Sequence, residues 1–112
     1  MQSKKFLGQE VKVKIDRPLG SKHPKYNYIY PINYGFIPDT ISGDGEELDA
    51  YILVVKEPLQ DFVGKCIAII HRLDDNDDKL IVIPKELKDI SDQDIIKAIY
   101  FQEQYFKSVI IR

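Results

Sequence analysis

Residues 30–49 read YPINYGFIPDTISGDGEELD, and this stretch determines how the rest of the chain is organised. Its first half, as far as Pro38, is bulky and stiff because it combines aromatic residues with two prolines. Its second half contains five acidic residues and no basic residue. The stretch therefore predicts a packed platform that leads into an anionic loop.

The acidic half of this stretch is a candidate metal site. Two glycines flank Asp44 and allow a tight turn with positive φ, so we expect Asp44, Glu46 and Asp49 to point towards a common centre. Carboxylates held so close repel one another unless a cation lies between them. Mg²⁺ takes carboxylate oxygens and commonly shares them with a substrate phosphate. The alternative is a solvated surface loop, the usual explanation of a charge run, but the paired glycines favour a metal.

Length and composition indicate one small soluble domain, residues 1–112. The chain has 112 residues, of which 44% are apolar and 30% charged. We expect a cytoplasmic protein without a membrane partner, because no apolar run approaches the roughly 20 residues of a membrane span and the first residues lack the apolar core of a signal peptide. The single cysteine, Cys66, lies in an apolar run, which predicts a buried and inert thiol.

The net charge of −2 is distributed unevenly. Residues 1–38 contain seven Lys or Arg and two acids, whereas residues 39–112 contain nine and sixteen. If the basic segment faces the acidic loops, a cleft of mixed sign forms that suits a metal ion and a multiply charged anion. A nucleic-acid partner is not expected, since the chain has no continuous basic stripe. The loop of residues 17–27 is basic and could clamp phosphate, although an ordinary solvated surface is an equal alternative.

The apolar pattern predicts several short strands. Residues 9–16 alternate apolar and polar side chains, which is typical of a half-buried strand, and residues 50–55 and 66–70 are continuous apolar runs. A second acidic cluster, residues 73–79, then leads into another apolar run. Nine of the eighteen acids lie in the two acidic loops, which suggests that the fold brings them together around shared ions. Alternatively, the second cluster is only a polar hairpin turn.

One helix is predicted near the end of the chain. Ser91 is a candidate N-cap, with Asp94 three positions later as its capping-box partner. An apolar face at helical spacing then extends to about Tyr105. The residues that form this face are Ile95, Ile99 and Phe106, with Ile96 and Tyr100 beside them. The final VIIR either adds a short strand or continues the helix.

Several of these segments resemble family I inorganic pyrophosphatases, the soluble Mg²⁺-dependent enzymes. YPINYGFIP is similar to that family's YPxNYGFIP segment, and DGEELD, at the matching spacing, resembles its DGDPxD signature. DDKLIVIP, which begins at Asp77, resembles the family's D-x-K stretch, and the resemblance covers most of the chain. It implies an α+β fold that is mainly β, namely a small OB-like five-stranded barrel with a C-terminal helix. It also implies hydrolysis of inorganic pyrophosphate to two phosphates by a metal-activated water, with Mg²⁺ as cofactor.

The resemblance also implies individual roles. Metal-binding carboxylates would be Asp44, Glu46, Asp49 and Asp77, with Glu46 in place of the family's middle Asp. The substrate-binding residues would be Lys25, Tyr30, Tyr34, Lys79 and Tyr105. Arg17 could replace an arginine carried by a family hairpin that is missing before Tyr30. Catalysis would depend on Glu46, Asp49, Lys25 and Tyr34.

The sequence also departs from the family pattern. Asn27 stands where the family has Glu, and Phe106 replaces a lysine. Arg72 or Leu73 falls where the family has an acidic pair, unless a small gap brings Asp74 and Asp75 into that position. These changes leave two alternatives open. One is a related hydrolase of another phosphoanhydride or phosphoester, since a shortened barrel is more open to a larger group. The other is a homologue that binds metal or phosphate without turnover. The many aromatic residues on so small a barrel also favour a homo-oligomer.

Overall fold

The computed structural model describes residues 2–42 and 45–112, and it contains a closed five-stranded barrel. The barrel strands are β1 (Glu10–Arg17), β2 (Asn33–Ile37), β3 (Leu48–Ile52), β4 (Asp61–Arg72) and β5 (Asp78–Ile83). They are hydrogen-bonded in the order β1-β2-β3-β5-β4, and β1 pairs again with β4 to close the ring. The β3–β5 pair is parallel and the other barrel pairs are antiparallel. The helix α1 (Asp92–Glu103) follows the barrel, so the predicted fold class is confirmed.

Two apolar cores follow from strand alternation. In β1 every second residue is buried inside the barrel, as the sequence pattern predicts. β5 is buried on both faces, because Leu80 and Val82 contribute to the barrel interior whereas Ile81 and Ile83 pack beneath α1. This two-sided burial explains why β5 reads as a continuous apolar run. Cys66 is buried in the first core, as predicted, and its burial raises the pKa of the thiol to about 11, which disfavours the reactive thiolate.

The helix begins as predicted but ends earlier. The backbone N–H of Asp94 donates to the Ser91 hydroxyl at 3.1 Å, which caps the first turn. The prediction that Ile96 and Tyr100 lie on the buried apolar face is wrong, since both side chains are more than half exposed. The reason is that α1 packs against one sheet only, so its buried stripe is narrow. The helix ends at Glu103 because the chain then turns into a sixth strand, β6 (Ser108–Ile111), which pairs with β4.

A buried asparagine holds the basic loop against the barrel. The Asn33 Oδ1 atom accepts hydrogen bonds from the N–H groups of Leu19 at 2.9 Å and Leu59 at 3.1 Å, and its Nδ2 donates to the Glu57 carbonyl at 2.9 Å. Within the longer connection between β1 and β2, residues 22 and 29 form an antiparallel bridge. The loop after β1 is therefore folded over β2 and positions its side chains beside the strand ends. None of the described residues form a helix that is long and apolar enough to cross a membrane.

Candidate active site

A cleft of about 700 Å³ lies between the loop after β1, the strands β2 and β3, and the segment that follows α1. Its walls differ in chemistry. Four carboxylates line it, from Asp16, Glu46, Glu47 and Asp49. Three cationic side chains also line it, from Arg17, Arg72 and Lys79. The remaining lining is mostly aromatic. A cleft of mixed sign is thus present, but only Arg17 comes from the basic segment on which the expectation rested, and the other two cations come from residues 39–112.

The carboxylates of the cleft repel one another. Burial raises the pKa of Asp16 above its ordinary value, and the Arg17 charge opposes this effect. The negative charges of Asp49 and Glu47 then raise the pKa of Asp16 further. The carboxylates repel one another when they are ionised, and a divalent cation between them would relieve this repulsion. Their oxygens are the hard donors that such a cation prefers. The donor set therefore suits the kind of metal that the acidic loop predicted.

Lys79 connects the two acidic loops. Its Nζ atom donates to Asp49 Oδ2 at 2.6 Å and to Asp77 Oδ2 at 2.7 Å, and the lysine is 3% exposed. The Tyr34 hydroxyl donates to the same oxygen of Asp49 at 2.8 Å. Burial opposes ionisation of Asp77, but Lys79 and the Ser42 hydroxyl, with which Asp77 is hydrogen-bonded, keep the pKa of Asp77 below its ordinary value. The loops therefore meet through an ammonium group.

The second acidic cluster is used mainly to build the hairpin between β4 and β5. Asp75 accepts a hydrogen bond from the Asp77 N–H at 3.1 Å, and Asp74 accepts one from the Lys107 N–H at 2.8 Å. Asp78 Oδ1 lies 2.6 Å from a ring nitrogen of His71, away from the cleft. Asp74, Asp75 and Asp78 therefore fit the polar-hairpin alternative, whereas Asp77 contacts Lys79, which links it to the other acidic loop. Within residues 2–42 and 45–112, no group of three or more acidic, His or Cys side chains is arranged to hold a metal ion.

Arg72 is a site residue that the sequence did not predict. It lines the cleft although its side chain is only 7% exposed, and it makes two hydrogen bonds to the Glu103 carboxylate, at 3.0 and 2.6 Å. Its guanidinium lies 3.7 Å from the centre of the Phe106 ring. Burial alone would lower the pKa of Arg72, but the Glu103 carboxylate raises it above its ordinary value. Arg72 thus provides a fixed positive charge at the cleft.

A row of tyrosines forms one wall of the cleft. Ring centres are 6.3 Å apart between Tyr26 and Tyr28, 5.7 Å between Tyr28 and Tyr30, and 5.6 Å between Tyr30 and Tyr34. The hydroxyls of Tyr28 and Tyr30 each donate to Gln102 Oε1 at 3.0 Å. Burial raises the pKa of Tyr30 and of Tyr34, so both hydroxyls stay protonated. The signal for this wall was the alternation in KYNYIY, in which every second residue is a tyrosine, so that the three rings can lie on the same side of the segment.

The structure brings most of the predicted site residues together. Those that line the cleft are Arg17, Tyr30, Tyr34, Glu46, Asp49, Lys79 and Tyr105. Asp77 lies behind Lys79 and does not line the cleft. Lys25 is exposed and is also not among the lining residues, and Asp44 lies outside the described residues. The roles given to these residues stay predictions.

Comparisons with known proteins agree with the geometry. The sequence profile described as Pyrophosphatase, inorganic pyrophosphatase, matches residues 5–109. The chain is 37% identical over 93 residues to the inorganic pyrophosphatase of Neisseria meningitidis serogroup B, with 70% of the chain and 52% of that relative covered. It is 30% identical over 133 positions to that of Rickettsia prowazekii, with 90% and 77% covered. The chain therefore spans about half the length of the first relative.

Solved structures show the same fold. The inorganic pyrophosphatase from Ehrlichia chaffeensis superimposes with a TM-score of 0.68 at 20% identity, with 91% of this chain and 84% of that chain covered. The inorganic pyrophosphatase from Neisseria gonorrhoeae superimposes with a TM-score of 0.60 at 28% identity, with 84% and 71% covered. The first similarity supports the barrel alone, and the second combines the barrel with a closer sequence match.

Proposed function

This chain belongs to the inorganic pyrophosphatase family, and we propose that its cleft hydrolyses inorganic pyrophosphate to two phosphates with Mg²⁺ as cofactor. The observation that carries this proposal is the arrangement of the cleft, in which Asp49 and Glu46 face the same space as Lys79 and Arg72. Pyrophosphate is strongly anionic, so its hydrolysis requires cations on both phosphoryl groups and a means of lowering the pKa of the attacking water. The cleft provides carboxylates for the metal and side-chain cations for the phosphates.

The family implies a divalent metal cofactor, and the cleft offers the type of donor that such an ion prefers, although the described carboxylates are not grouped around a common metal position. Glu46 and Asp49, with Asp16 beside them, offer oxygen donors only, which is the preference of a hard ion such as Mg²⁺. Asp44 would join them on the basis of the family signature. When bound, such an ion neutralises phosphate charge and makes water a stronger acid.

Asp49 is the residue best placed to act on the attacking water. Tyr34 and Lys79 both donate to its Oδ2 atom, so the carboxylate has a fixed orientation. A fixed carboxylate can orient a water molecule and accept its proton as the oxygen attacks phosphorus, a contribution of about 10²- to 10⁴-fold in rate. Glu46 lines the same part of the cleft and would be a further ligand or base.

The cationic residues would stabilise the leaving phosphate. As water attacks one phosphorus, the bond from that phosphorus to the bridging oxygen breaks, and negative charge grows on the second phosphate. Lys79 and Arg72 are already held in place by carboxylates, so they need little rearrangement to stabilise this charge. Arg17 lines the cleft and lies nearer the solvent. Positioning and charge stabilisation of this kind dominate phosphoryl transfer. Retention of these groups beside Asp49 favours turnover over a purely binding role.

The proposal is tested by Asp49→Asn, which removes the charge but keeps the size of the side chain. We expect kcat for Mg²⁺-dependent phosphate release from pyrophosphate to fall by about 100-fold or more. Asp61→Asn is the matched control, because Asp61 is exposed at the start of β4 and does not line the cleft. Urea unfolding of both variants would show that they fold. Turnover by Asp49→Asn equal to that of the control would refute the proposed role.

A further inference from the structure

The cleft is larger than the diphosphate of the proposed reaction needs. Its volume of about 700 Å³ falls in the range of about 300 to 1,000 Å³ that is typical of sites for drug-sized organic ligands. The buried charged groups, Lys79 and Arg72, lie at its floor. The remaining volume lies towards the solvent, where the lining is aromatic.

The mouth of the cleft presents exposed rings. Tyr26 is 61% exposed and Tyr105 is 67% exposed, and both line the cleft. The two residues come from distant parts of the chain, the loop after β1 and the segment after α1. Single exposed aromatics are ordinary on protein surfaces, but two that converge on one charged cleft form a surface on which a planar ring can stack.

The Tyr26 ring at the mouth is held in place by its neighbours. The Tyr26 ring is stacked nearly parallel to Tyr28, with an interplanar angle of 8°, and it lies 4.8 Å from the His23 ring. Tyr28 is in turn fixed by its hydrogen bond to Gln102. A ring held in this way loses little conformational freedom when a ligand stacks on it, so more of the stacking energy appears as affinity.

The row of tyrosines connects the mouth of the cleft to its charged floor. The tyrosine row runs from Tyr26 at the mouth through Tyr28 and Tyr30 to Tyr34, whose hydroxyl contacts Asp49 at the floor. A ligand that fits both ends must therefore combine a flat aromatic group with a diphosphate. Arg17 lines the same cleft and adds a positive charge for the phosphate of such a ligand that lies nearer to the aromatic group.

We propose that the cleft binds nucleoside 5′-diphosphates, with the base stacked on Tyr26 and Tyr105 at the mouth and the diphosphate at Lys79 and Arg72. This inference rests on the proposed function, because the same floor holds the diphosphate. Hydrolysis would follow the same chemistry. Water attacks the terminal phosphorus, the bridging oxygen leaves with the bonding electron pair, and the products are a nucleoside monophosphate, inorganic phosphate and a proton.

Two ligands that resist hydrolysis separate the contribution of the base from that of the diphosphate. One is methylenediphosphonate, and the other is the α,β-methylene analogue of adenosine 5′-diphosphate, which carries the same group on a nucleoside. We expect calorimetry in the presence of Mg²⁺ to give a Kd about tenfold lower for the nucleoside analogue, since base stacking on one aromatic residue is worth about 1 to 3 kcal/mol.

Tyr26→Ala should weaken binding of the nucleoside analogue about fivefold or more and leave the Kd of methylenediphosphonate unchanged, and Tyr105→Ala should weaken binding of the nucleoside analogue to a similar extent. Tyr100→Ala is the matched control, because Tyr100 is 59% exposed on α1 but does not line the cleft. Equal affinity for the two ligands, or a preference that survives both substitutions, would overturn the inference. Failure of the wild type to hydrolyse pyrophosphate would instead count against the proposed function, and is measured separately.

Discussion

At the scale of single residues, two buried cations determine the character of the site. Lys79 lies between Asp49 and Asp77, and Arg72 is held by Glu103. Each of these charges is more than nine-tenths buried, so each depends on its carboxylate partner to offset the lost hydration. The same carboxylates hold the two cations at the floor of the cleft, where an anionic ligand would bind.

Arg72→Met should destabilise the fold strongly. The substitution removes the charge that compensates Glu103, which is 6% exposed, and a buried carboxylate without its partner typically costs about 3 to 5 kcal/mol. Urea unfolding measures this loss. The double variant with Glu103→Leu should recover part of it, because no uncompensated charge then remains.

An exposed ion pair provides the comparison for Arg72. Lys85 lies 3.1 Å from Glu10, and both side chains are more than half exposed. Lys85→Met should therefore change the free energy of unfolding by less than about 1 kcal/mol. Similar losses in Lys85→Met and Arg72→Met would mean that the Arg72–Glu103 pair is not the buried constraint described above.

Residue chemistry was only partly predictable from the sequence. The acids and tyrosines of residues 30–49 could be assigned because they form a dense local pattern. Arg72 could not, because its partner Glu103 is 31 positions away and nothing in the local sequence indicates their pairing. Tyr26 was missed for a different reason: its function depends on the cleft opening beside it, which is a property of the folded chain.

At the scale of elements, the close contact between β1 and β2 depends on a glycine. Gly35 pairs with Ile15, and a Cβ atom at position 35 would overlap the carbonyl oxygen of Lys14. The register shift in this pair, between Ile15 and Arg17, brings the end of β1 towards the cleft. Gly35 is thus required for packing and not for positive φ.

Gly35→Ala should disrupt this pairing. The added methyl group would push two backbones apart, and overpacking of this kind costs about 1 to 3 kcal/mol or more. Gly8→Ala is the comparison, since Gly8 has φ +77° with open space around its Cα, so only strain of about 1 to 2 kcal/mol is expected. Thermal unfolding that ranks Gly8→Ala as the more damaging change would contradict this description of the β1–β2 contact.

Elements were predicted well where one face is buried. The alternation in β1 identified the strand, and Ser91 identified the start of α1. The wrong positions on α1, Ile96 and Tyr100, show the limit of this reasoning, because periodicity gives the direction of an apolar face but not the width of its partner surface. The close contact at Gly35 could not be predicted from the sequence either, because it depends on which residues of β1 lie opposite Gly35 in the folded sheet.

At the scale of the whole molecule, the barrel followed from the resemblance of two motifs and is confirmed. The alignment with the Rickettsia prowazekii relative extends over 133 positions, more than the 112 residues of this chain, so the relative has additional residues within the matched region. The rings of Tyr26 and Tyr105 are exposed at the mouth of the cleft. This exposure depends on the folded chain as a whole, so no single motif predicts it.

The most direct test of the account is phosphate release from pyrophosphate by the wild-type protein with and without Mg²⁺, beside a simple phosphomonoester. The cleft offers carboxylates for the metal and cations for two phosphoryl groups, so we predict release that requires Mg²⁺ and prefers pyrophosphate. Absence of release at any Mg²⁺ concentration, or release that is the same without the metal, would contradict the central claim that this cleft is a metal-dependent pyrophosphatase site.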